Sequence, residues 1–88
     1  MERATLIENR LREVLAPQII EVRDDSHQHA GHEGAKSGGG HFAVTIVSHR
    51  FQGKNLVQRH QMIYQALNEM MKKEVHALSI QALAPDEL

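Results

Sequence analysis

Two alternating apolar stretches, set on either side of one helix-length run, constrain this chain more than any other feature. Residues 41–48 place Phe42, Val44 and Ile46 on one face and Ala43, Thr45 and Val47 behind, which is the period of a strand. Residues 75–80 repeat the pattern, with Leu78 and Ile80 on one face and Ala77 and Ser79 on the other. His76 heads the Leu78/Ile80 face. Strands joined through a helix run parallel in one sheet, and the crossover is right-handed. The starts of the two strands therefore lie at the same end of the sheet.

The remaining segments fit around that unit. Residues 2–15 read as a helix: Ala4, Ile7, Leu11 and Val14 recur at spacings of three and four, with Leu15 widening the stripe. Pro17 stops it and drives Ala16 out of helical geometry. Residues 19–23 read as a half-solvated strand, Ile20 and Val22 opposite Glu21 and Arg23. The long stretch 24–40 is glycine and small polar residues with little to bury, so it is a hairpin loop and the first two strands are antiparallel. Gly38-Gly39-Gly40 lacks the lysine and following helix of a phosphate-binding loop. Gly53 is the turn residue of the connection 49–54. Asn55 caps the next helix, with Gln58 as its capping-box partner. That helix, over residues 56–71, carries a stripe of Leu56, His60, Ile63, Leu67 and Met70, with Arg59, Gln61, Gln65 and Glu69 outward. A break near its first turn would make the order α-β-β-α-α-β. Residues 84–88 read as a loose tail. The expected fold is α+β: one domain over residues 1–88, a three-stranded mixed sheet with helices on one face.

This topology has a chemical consequence. His76 and His41 begin parallel strands, and the hairpin loop enters the same end of the sheet. Five of the seven histidines (His27, His29, His32, His41 and His49) fall in one segment. Neutral imidazole suits zinc, copper, iron and nickel. A mononuclear zinc or nickel site on the loop histidines is one option. The chain has no cysteine, so an iron–sulfur cluster would need its thiolates from another molecule. A cluster here would be shared at an interface. No spacing among Ser26, Ser37 and Ser48 supports nucleophilic hydrolysis, so an enzyme is not expected.

Other classes are disfavoured. Aromatics are confined to Phe42, Phe51 and Tyr64, too few for a base-stacking platform. The formal net charge is −1, against the usual basic balance of nucleic-acid binders. No apolar run approaches the length of a membrane span, and the first residues open a charged helix, not a leader. The cytoplasm is the expected location.

The pattern His41-Phe42, Val47-Ser48-x-Arg50-Phe51-x-Gly53, Arg59-His60-x-Met62-Ile63-Tyr64-x-x-Leu67 and Val75-His76-Ala77-Leu78-Ser79-Ile80 closely resembles the BolA family. The likeness runs from the first helix to Pro85. It implies a type II KH-like fold. It also implies a non-enzymatic role in iron–sulfur cluster trafficking or iron-status regulation, as a heterodimer with a monothiol glutaredoxin. The pair would share a 2Fe-2S cluster, with glutathione supplied by the glutaredoxin. The resemblance puts one ligand at His76 and a second in the hairpin loop. The loop is longer here than in the shorter members. Counting from Asp24-Asp25-Ser26, which anchors the strand end, selects His29 as the preferred second ligand, and counting back from His41 selects His32 as its rival. His41 and His27 are weaker candidates. The family also implies an alternative, a DNA-binding regulator of stress response and cell shape. Phosphate would then meet Arg50, Lys54 and Arg59, although the Gly-x-x-Gly loop of KH domains is absent. A weak homodimer is a further alternative.

Overall fold

The computed structural model describes residues 2–25, 40–73 and 75–88, and of His76 the backbone alone. In order, the elements are α1 (Arg3–Leu15), β1 (Ile19–Asp24), β2 (Gly40–Val47), a 3-10 turn (His49–Phe51), α2 (Leu56–Leu67), α3 (Met70–Lys73), β3 (Val75–Leu83) and a second 3-10 turn (Pro85–Glu87). The sheet order is β1-β2-β3. β1 and β2 are antiparallel, and β2 and β3 are parallel.

Register sorts the sheet into two faces. Ile20, Ile46 and Ala82 form one row, Val22, Val44 and Ile80 the next, and Asp24, Phe42 and Leu78 a third. The apolar members of these rows face the helices and join Ile7, Leu11, Leu15, Ile63, Ala66 and Leu67 in one core. The opposite face carries Glu21, Thr45 and Gln81, then Arg23, Ala43 and Ser79. A strand packed on one side only keeps polar residues on the other.

α1 buries Ile7, Leu11 and Leu15 at a spacing of four, while Val14 stays 36% exposed. Leu15, not Val14, continues the buried row. Ala16 takes a left-handed conformation (φ 44°), and its N–H closes the last turn on the Arg12 carbonyl. Ser48 is fully buried; its hydroxyl donates to the Leu15 carbonyl at 2.6 Å and accepts from the Arg50 N–H at 3.2 Å. One side chain thus ties the end of α1 to the end of β2. Gly53 has φ +76° in the turn before α2, a conformation that favours glycine.

α2 begins with the expected capping box. The Asn55 carbonyl oxygen accepts from the Gln58 N–H at 2.8 Å, and the Gln58 side chain accepts from the Asn55 N–H at 2.9 Å. Its buried face corrects the expected stripe. Leu56 is 66% exposed and His60 half-buried, whereas Arg59, Ile63, Ala66 and Leu67 are buried. The face is turned so that the Arg59-Ile63-Leu67 row points inward. The helix also ends earlier than residue 71. Asn68 adopts φ 44° and breaks it, asparagine being tolerant of positive φ. α3 then restarts at Met70. The break giving two helices is here, not in the first turn.

The chain end corrects a second expectation. β3 continues to Leu83, Ala84 is buried, and residues 85–87 form a turn. The Glu87 carboxylate accepts from the Ala84 N–H at 2.6 Å and from Arg59. A tail held by an ion pair to α2 is not loose.

Candidate functional site

The parallel register decides what meets at the end of the sheet where β2 and β3 begin. Gly40 is level with Val75, and His41 is level with Ala77. One residue of β2 thus spans two of β3, and His76 is the extra residue of a bulge. Bulges interrupt pleat alternation. Val75 accordingly is buried, although strict alternation would put it opposite Leu78. The Asp25 N–H donates to the His41 carbonyl at 2.8 Å, extending the β1/β2 ladder by a residue. Asp25 and Gly40 are the ends that bracket residues 26–39. The backbone of His76, the start of β2 at His41 and both ends of that segment therefore share one edge, as topology alone required. His27, His29 and His32 lie outside the described residues, as does the His76 side chain.

A small pocket of about 240 Å³ opens here, lined by Asp25, His41, Phe42, Ala77, Leu78 and Ser79. His41 is half-buried in it. The Asp25 carboxylate is held by Arg23, Nε to Oδ1 at 2.8 Å and Nη2 to Oδ2 at 3.1 Å. That hydrogen bond, with the charge of Asp25, raises the Arg23 guanidinium above its ordinary value. The pair is a fixed feature of the rim, and sequence spacing had not suggested it. Among the described residues, no group of three His, Cys, Asp or Glu side chains is placed to hold a metal ion.

The second candidate surface lies elsewhere. Arg50 and Lys54 are exposed around the turn that follows β2. From His41 to Val47 is roughly 20 Å along the strand, so they sit at the opposite end of the sheet from His76. Arg59 does not join them. It is 7% exposed. Its Nε donates to the Lys54 carbonyl at 2.9 Å, Nη1 to the Ala82 carbonyl at 3.0 Å and to Glu87 Oε1 at 2.6 Å, and Nη2 to Glu87 Oε2 at 3.3 Å. The guanidinium also lies 6.0 Å from the centre of the Phe51 ring. An arginine committed to these partners inside the fold is not presented to a phosphate backbone. The only hint in the sequence was its place four residues before Ile63 and eight before Leu67.

No helix among the described residues is long and apolar enough to cross a membrane.

The family signature described as BolA-like protein matches residues 11–87. SufE-like protein 1, chloroplastic/mitochondrial, of Arabidopsis thaliana is 44% identical over 91 residues, covering 98% of this chain and 24% of that protein. The solved BolA domain of SufE1 from the same plant superimposes with a TM-score of 0.87 at 44% identity, covering 100% of this chain and 98% of the domain. BolA-like protein 1 of Mus musculus is 40% identical over 79 residues, 90% of this chain and 56% of that one. The DNA-binding transcriptional regulator BolA of Escherichia coli is 42% identical over 74 residues, 84% of this chain and 68% of that one. The chain thus spans a quarter to about half of the first two relatives and two thirds of the bacterial one.

Proposed function

Since the chain belongs to the BolA family, we propose that it is a non-enzymatic adaptor in iron–sulfur cluster trafficking or iron-status regulation. It shares a 2Fe-2S cluster with a monothiol glutaredoxin. His76 and one histidine of residues 26–39, His29 or His32, supply imidazole, and the glutaredoxin with its glutathione supplies thiolate. The observation that carries this reading is the β2/β3 register, which sets the His76 backbone beside both ends of the histidine-rich segment. The donor set fits half of a bridged cluster. Imidazole is present in excess, and thiolate is absent from the sequence, whereas these clusters require sulfur ligands in addition. A cluster bound this way is cargo or signal; no bond of a substrate is made or broken by the chain.

The test is anaerobic co-purification of the untagged chain with a monothiol glutaredoxin and glutathione, followed by iron and sulfide analysis. A mixed complex carrying equal iron and sulfide, with a visible spectrum unlike that of the glutaredoxin alone, is the expected result. Iron confined to glutaredoxin homodimers would overturn the reading.

A second reading, DNA-binding regulation, is favoured by the name of the Escherichia coli relative. Arg50 and Lys54 would then carry the contacts, without Arg59. If it holds, DNA affinity falls steeply with salt, and Lys54→Glu weakens it further. Absence of binding at about 0.15 M salt removes it.

A further inference from the structure

Sulfur in this chain is thioether alone: four methionines and no cysteine. Met62 lies within α2, and Met70 and Met71 open α3. α3 is a single turn, Met70–Lys73. A helix this short has no stability of its own and persists by its packing. It does not continue α2, because Asn68 at φ 44° separates them. None of its side chains is fully buried. Met70 and Met71 are half-buried and pack on the core, whereas Lys72 and Lys73 are exposed. The two methionines are thus its apolar attachment. α3 in turn packs on β3, whose first residue, Val75, is buried and pairs with Gly40.

Among the described residues, both anchors also reach the surface. Met70 lines a pocket of about 420 Å³ with Leu6 and Arg10 of α1. Met71 lines one of about 490 Å³ with Tyr64 and Asn68 at the end of α2. Met62 lines a third, of about 360 Å³, but its helix is held independently by the buried Arg59, Ile63, Ala66 and Leu67. The same chemistry at Met62 therefore has little to release.

We propose that Met70 and Met71 form a reversible oxidation site that controls the order of the start of β3. The co-reactant is a hydroperoxide. Its O–O bond breaks as one oxygen forms an S–O bond, sulfur gives up two electrons, and the remainder leaves as water or an alcohol. The chain has no thiol to take that oxygen instead. A sulfoxide is polar, and setting it against an apolar core without a hydrogen-bond partner is unfavourable. The turn detaches, and the first residues of β3 lose the layer packed on them. The backbone of His76 is among those residues, so the modification acts on the edge of the candidate site. The inference uses the packing of α3 alone and does not depend on the cluster reading.

The test treats the protein with hydrogen peroxide, removes the peroxide, maps sulfoxide by mass spectrometry and follows amide hydrogen exchange. The Ser48 N–H donates to the Leu83 carbonyl, so alternate residues of β3, Leu83, Gln81, Ser79 and Ala77, address β2. In chains carrying sulfoxide at Met70 and Met71, the Ala77 and Ser79 amides should exchange at least about tenfold faster. Gln81 and Leu83, at the far end, should change by less than about twofold. Methionine sulfoxide reductases should restore the original rates. Met70→Leu/Met71→Leu, which nearly conserves volume, should remove the response although Met1 and Met62 still oxidise. Met62→Leu should retain it in full. Failure of peroxide to modify Met70 and Met71 would overturn the proposal, as would unchanged exchange in the oxidised chain or equal acceleration along all of β3. A response that survives in Met70→Leu/Met71→Leu, or is lost in Met62→Leu, would overturn it too.

Discussion

Replacing Arg59 with Ala is expected to lower the free energy of unfolding by about 3 kcal/mol, measured by urea denaturation at neutral pH. The side chain closes three elements at once. It joins the start of α2 through the Lys54 carbonyl, the end of β3 through the Ala82 carbonyl, and the terminal turn through Glu87. Truncation leaves two carbonyls without their donor, at about 1 kcal/mol or more each. It also removes a long apolar stem from beside Phe51, which is wholly buried. Small domains are stable by only about 5–15 kcal/mol, so the loss is a large fraction of the whole. Arg59→Lys should recover little, since an ammonium cannot reproduce the planar fork of donors. A loss under about 1 kcal/mol would mean that the terminal turn is held by other contacts.

Acid gives an independent check on the same clamp. The hydrogen bond from Arg59, then that from the Ala84 N–H, holds the Glu87 carboxyl below its usual range. A carboxylate depressed in the folded state adds stability that is fully present above the unfolded value, about 4.3. That stability is lost as the pH falls through the lower, folded value. The protein should therefore lose stability on acidification below about 4.3, and Glu87→Gln should flatten that part of the profile.

Arg59 also marks the limit of what could be read from the sequence. Features set by neighbours in the chain were legible. The Asn55/Gln58 box, the Gly53 turn and the alternation of Phe42, Val44 and Ile46 all involve residues within a few positions of each other, and all are present. The parallel crossover was legible for another reason: a helix between two strands leaves little choice of topology. Arg59 meets Glu87 28 positions away, and the periodicity of α2 alone did not say which of two adjacent rows would turn inward. The terminal residues 84–88 have the composition of a tail and are ordered by that same distant pair. The bulge at His76 belongs to the β2/β3 register, which hydrophobic alternation treats as uninterrupted. For the candidate site, topology alone located the edge. Which histidine of residues 26–39 would complete the proposed site was not legible, because Asp24-Asp25-Ser26 and His41 count to different answers.

His76→Ala should separate ligand from scaffold most sharply. In a glutaredoxin complex reconstituted with iron and sulfide, the variant is expected to lose cluster at least about a hundredfold faster, because disturbing groups behind a ligand already costs about 10–100-fold. The fold should survive. His76 is the extra residue of the bulge, and Ala77 to Leu83 keep their pairing without it. The urea midpoint of the unloaded variant checks this. His76→Cys is the informative partner, since exchanging imidazole for thiolate should keep the cluster and lower its reduction potential. A residue that merely supported the strand would show no such spectroscopic response. The same assay sorts the histidines of residues 26–39: one of His29→Ala and His32→Ala should match His76→Ala, and the other should behave as unaltered protein. Ligation requires neutral imidazole, so retention should also weaken as the pH falls below about 6.5. Unchanged cluster stability in His76→Ala, together with a flat response to pH, would remove imidazole from the site and the proposed role with it.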